Sequence, residues 1–109
     1  SAGNLCLHLI GNLNTYIGLA LGDINYVRNR ELEFSTNSGS KAELLSKIEA
    51  TQKVVKTSLQ NLTTTDLEKE FPMLVFDKTT STEYMLIHLT THLAYHLGQI
   101  NYHRRLLDN

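Results

Sequence analysis

The stretch from Asn4 to Leu21 limits what this chain can fold into more than any other. Read as a helix, its apolar residues Leu5, Leu7, Leu9, Ile10, Leu13, Tyr16, Ile17, Leu19 and Leu21 occupy nearly every side of the cylinder. A helix of that kind leaves apolar surface in water wherever it lacks a neighbour, so it belongs at the centre of a helical domain. A membrane span or a secretory leader is the competing reading. No basic leader precedes the run, and His8, Asn12, Asn14 and Thr15 lie inside it, a polar load that a spanning helix does not usually accept. The expectation is a buried helix of a soluble, cytoplasmic protein that spans no membrane. Cys6, the single cysteine, cannot form an internal disulfide and fits a reducing compartment. With no cation near it in sequence, it reads as an inert thiol.

The first helix stops at Gly22-Asp23, and residues 22–40 form a connection that is charged at first and then becomes STNSGS. Connections of that length are often functional or span the length of a bundle. A second helix starts at the capping box Ser40-Lys41-Ala42-Glu43 and carries one apolar stripe, Leu44, Ile48, Thr51, Val55, Leu59 and Leu62. A further helical turn is expected over residues 65–70. Phe71 to Phe76 contains Pro72, the only proline, has extended character and allows a short strand or hairpin. The last helix begins with the capping box Thr80-Ser81-Thr82-Glu83 and runs to about Leu107.

At 109 residues this is a single domain with one modest core. Ten basic and eleven acidic side chains give a net charge of −1, and Arg104-Arg105 is the only adjacent basic pair, so a nucleic-acid surface is not expected. Three substantial helices leave the first one poorly covered. The expectation is an N-terminally truncated piece of a four-helix protein, or a domain completed by a partner subunit. The absence of an initiator methionine before Ser1-Ala2-Gly3 agrees with truncation.

The segment HLTTHLAYHLGQINYH, residues 88–103, carries four of the five histidines. On an ideal helix His88, His96, Gln99 and His103 all fall within about 40° of His92, in a stripe that flanks the apolar one. Two histidines four residues apart can converge on one ion, as in helical metalloprotease motifs, but no Glu follows the first, so that motif's general base is missing. His92 and His96 are therefore the leading metal ligands. A third should come from another helix, and His8, the one histidine outside the last helix, sits with Asn12 and Thr15 in a small polar patch suited to face them. Asn12, Gln99 and His88 are candidates to orient ligands from outside, and His103, beside Arg104, reads as surface. A pH-sensitive imidazole cluster without metal is the competing reading.

The run His92-Leu93-Ala94-Tyr95-His96-Leu97-Gly98-Gln99-Ile100 resembles the HxxxHxGQI signature of the DinB-like (damage-inducible) superfamily. Leu7 to Leu13 is similar to the helix that supplies that family's remaining histidine, and Arg28 to Ser35 resembles its Arg-rich link ending in EFS. The resemblance covers essentially the whole chain. It implies an all-α, up-up-down-down four-helix bundle whose first helix has no counterpart here. It also implies a divalent metal, Zn, Ni, Fe or Mn, on His8, His92 and His96, with positions left open for water or a thiol. Members with known activity are metal-dependent transferases or isomerases using a low-molecular-weight thiol such as bacillithiol or mycothiol. Arg28 and Arg30 could then bind a carboxylate-bearing thiol cofactor, although solvated surface charge is the favoured reading for each. Many members carry Arg where this chain has Leu97. Metal-dependent hydrolysis and a non-enzymatic stress-related module with a structural or vestigial metal are the alternatives. A homodimer acting on a small molecule is the expected assembly.

Overall fold

The computed structural model describes residues 1–35 and 39–107; Thr36, Asn37 and Ser38 of the STNSGS connection, with Asp108 and Asn109, lie outside the described residues. The order is α1 (Ala2–Leu13), a π-helical segment (Asn14–Leu19), α2 (Ala20–Gly22), α3 (Arg30–Ser35), α4 (Lys41–Gln60), α5 (Thr64–Glu68) and α6 (Thr82–Leu107). The fold is all-α. Its one β feature among the described residues is an isolated antiparallel bridge between Glu70 and Ser81.

The apolar stretch is one continuous helical rod, but not a regular one. Ser1 caps it, its Oγ accepting from the Asn4 N–H at 3.2 Å. In the π-helical segment, Asn14 Nδ2 donates to the Ile10 carbonyl at 2.8 Å and to Thr51 Oγ1 of α4 at 3.0 Å. Gly18 permits close approach there, since a Cβ would sit 2.8 Å from Val54 Cγ1. The rod ends at Asp23 in the left-handed region, φ 55°, a conformation that Asp tolerates better than most residues. By length and mean hydropathy, 1.3 over Ala2–Gly22, this rod could cross a membrane. Here its polar residues His8, Asn12 and Asn14 are buried inside the domain.

Three expectations need correction. The connection over residues 22–40 is not irregular throughout, because α3 forms within it and packs on α1, with Asn29 Oδ1 accepting from the Leu32 N–H at 3.2 Å. No hairpin forms over Phe71–Phe76; Phe71 N–H donates to the Thr80 carbonyl at 2.8 Å, but Pro72 has no N–H to extend the ladder. That loop instead drives Phe71 into a core with Ile17, Met85 and Leu89, with Met73, Val75 and Phe76 packed around it. The cap of α6 is Ser81 rather than Thr80, its Oγ accepting from the Tyr84 N–H at 3.0 Å.

α1 packs against α4 and α6, whereas α4 and α6 do not pack on each other among the described residues. Between the three runs an open apolar trough of about 420 Å³, lined by Leu9, Leu13, Ile48, Val55, Leu93 and Ile100 among others. Cys6 reaches it too, half-buried, and burial pushes its thiol pKa up, in line with an inert thiol. The core is correspondingly small, so each member carries much of the stability. Met85→Ala, at 1% exposure, is expected to lower the unfolding free energy by about 2–4 kcal/mol. Lys53→Ala on the exposed face of α4 should change it by less than about 0.5 kcal/mol. Urea unfolding of both variants checks the ordering.

Candidate metal centre

One helical turn separates His92 from His96 on α6, so their rings project from the same face. α1 lies alongside and contributes His8, which is 7% exposed, while His92 and His96 are half-buried. The centroid of the His8 ring is 5.1 Å from that of His92 and 4.9 Å from that of His96, and the last two are 4.5 Å apart, all at steep interplanar angles. One ring nitrogen from each of the three lies within 4.8 Å of the others. His8 Nε2 and His92 Nε2 are 3.2 Å apart. Imidazoles bound tetrahedrally at 2.0–2.1 Å hold their nitrogens roughly 3.3 Å apart, so the pair is already near ligand spacing. Among the described residues no carboxylate joins this group.

The outward nitrogens are what orient the rings. Gln99 Oε1 lies 2.6 Å from His96 Nδ1, which makes the amide oxygen the acceptor of an Nδ1–H and leaves Nε2 bare. Behind His8, Glu33 Oε1 lies 3.2 Å from Nδ1, and Glu33 is 6% exposed. Arg28 grips that carboxylate with both arms, Nε to Oε2 at 2.8 Å and Nη2 to Oε1 at 2.9 Å. The ion pair lies against α1 because residue 11 is glycine: a Cβ there would overlap Glu33 Oε2 and come within 3.0 Å of Arg28 Nε. His92 Nδ1, by contrast, is buried without a partner among the described residues, and so is Asn12 Oδ1.

Burial, and then the neighbouring imidazoles His96 and His8, push the His92 pKa down to about 4. His8 is also lowered, chiefly by burial, against the opposing pull of Glu33. Both are therefore neutral near pH 7, the form that presents a lone pair to a cation. Burial works to lower the Arg28 pKa, and the bond to Glu33 overrides it, raising the guanidinium further.

The structure brings His8, His92 and His96 together, places Gln99 on His96, and buries Asn12 one turn beyond His8. His88 is exposed and set edge-on to Phe76 with centroids 5.0 Å apart, outside the group, and His103 is exposed. Arg30 is exposed at the start of α3. Arg28 is not a solvated surface charge: its side chain is 9% exposed and turned onto Glu33, because a buried carboxylate needs a cation. Glu33 went unrecognised in the sequence. The available signal was chemical, since a histidine buried in an apolar helix needs an acceptor for its second nitrogen, and the segment after that helix is where acids occur.

The depressed His92 pKa has a consequence for stability. Unfolded, this histidine titrates near 6.5; folded, near 4. Between those values the unfolded chain binds more protons, so stability falls as pH drops through that window. In chelator, the melting temperature of the wild type should fall more steeply between pH 6.5 and 5 than that of His92→Gln; equal slopes would contradict the shift. No curated protein and no solved structure matches the chain. Residues 1–109 match the model of a family described as protein of unknown function, DUF1572. The chain belongs to that family.

Proposed function

We propose that this protein is a DinB-like metal protein in which His8, His92 and His96 hold one divalent cation, and that it transfers a low-molecular-weight thiol to an electrophilic small molecule. The observation that carries the reading is the convergence of three imidazoles from two helices within 4.8 Å, with their outward nitrogens partly fixed by Gln99 and Glu33. A donor set of three imidazoles suits Zn, Ni, Fe or Mn. When bound, such an ion supplies a positive charge that lowers the pKa of a thiol or a water at its open positions. His8, His92 and His96 would hold it, with Gln99 keeping His96 from turning away. Hydrolysis is less well supported: Glu33 lies on the far side of His8 and is occupied by Arg28, and among the described residues no free carboxylate joins the three imidazoles to take a proton from water.

The apolar trough supports a four-helix bundle, because α4 and α6 flank α1 without closing over it, and a fourth helix would bury their facing leucines and isoleucines. The far end of α6 supports a homodimer. Gly98 faces open space, and Leu97, Tyr102, Leu106 and Leu107 are more than half exposed. Light scattering should give twice the 12.3 kDa chain mass, and a monomer would contradict that assembly.

The functional test is direct. Elemental analysis of purified wild-type protein should find one divalent metal per chain, lost in His92→Ala. Absence of metal, or unchanged content in the variant, would overturn the site. Metal without any thiol-dependent transfer would overturn the transferase reading alone.

A further inference from the structure

We infer that Glu33 is the positioning residue of this centre: clamped by Arg28 over Gly11, its carboxylate holds His8 in the Nδ1–H form with Nε2 turned toward the ion. The inference rests on the metal reading above, and concerns how one ligand is prepared. Two groups face His8 Nδ1, Glu33 Oε1 and Arg28 Nη2, each at 3.2 Å. They demand opposite things, since the carboxylate accepts and the guanidinium donates. Arg28 Nη2 already has a shorter acceptor in Glu33 Oε1, at 2.9 Å, and Arg28 Nε donates to Oε2 at 2.8 Å. The guanidinium is thus committed to the carboxylate. Oε1 retains a lone pair that an Nδ1–H fills, and neutral His8 then carries its proton there.

His92 offers an independent check on this assignment. If His8 Nε2 is bare, the 3.2 Å contact between the two Nε2 atoms makes His92 the donor. His92 Nδ1 is then a bare nitrogen. That atom is buried with no partner among the described residues, and the assignment avoids burying an unpaired N–H. The opposite tautomer of His8 would put the orphan proton there. A carboxylate behind a ligating imidazole also raises its basicity and limits its rotation, and losing such a partner costs 10–100-fold in metal affinity. Gly11 belongs to the same device, because any side chain there displaces the Glu33 carboxylate.

Zinc titration of the full chain against a chromophoric chelator tests this, with apo-protein melting recorded alongside. Glu33→Gln and Gly11→Ala should each weaken zinc about 10–100-fold, with three-imidazole coordination retained in cobalt spectra. A purely structural role would lower the apo melting temperature and leave the affinity of the folded protein unchanged. That result overturns the inference while leaving the metal site intact. A wild type that takes up no zinc overturns both. Long-range ¹⁵N correlation spectra of the apo wild type provide a readout independent of the variants' folding. His8 is expected as the Nδ1–H tautomer, and the Nε2–H tautomer would overturn the assignment.

Discussion

Burial of His8 within an apolar helix is the constraint on which the rest of this structure depends. An imidazole has two nitrogens, and in a dry setting each needs a partner or becomes a cost. On one side that need is met by Glu33, which in turn is a buried charge that needs Arg28. On the other side it is met by His92. α3 lies against α1 and the histidine face of α6 lies beside it; the polar contacts at His8 and the packing of Ile17 with Met85 and Leu89 hold the same elements together. Removing the polar set would leave the rod held by the apolar contacts around Ile17, with the His8 end unspecified.

The small core sharpens the point. Among the described residues, Leu9, Ile17, Phe71, Met85 and Leu89 are the buried large apolar ones, against seven buried polar or charged ones that include His8, Asn12, Asn14 and Glu33. Packing fixes the end of the rod near Ile17, where the loop from Phe71 to Phe76 closes over it. At the His8 end, specific polar geometry takes over. Buried polar networks confer uniqueness when every member is satisfied, and among the described residues His92 Nδ1 and Asn12 Oδ1 have no partner. Those two atoms lie on the two helices that would share a cation.

Much of this was legible in the sequence. The periodicity of Leu44, Ile48, Thr51 and Val55 carried α4, and the four-residue spacing of His92 and His96 carried the shared face of α6. Pairing His8 with them followed from its isolation on an apolar helix, and Gln99 stood one turn beyond His96. The π-helical segment was not legible, and neither was the bond its first residue, Asn14, makes to Thr51, 37 positions away. Neither was the role of Arg28 and Glu33. In sequence they are two charges among many in a polar link, and what distinguishes them is burial over Gly11, which only the fold creates. Phe71, before Pro72, lies outside any helix, and Pro72 has no N–H to carry the pairing beyond the single bridge.

Anomalous diffraction from crystals loaded with a single divalent metal tests the central claim most directly. The account predicts one strong peak about 2.0–2.1 Å from one ring nitrogen of each of His8, His92 and His96, with Glu33 on the Nδ1 side of His8 and not a ligand. A peak that involves other residues, or no peak among these three rings, would contradict it.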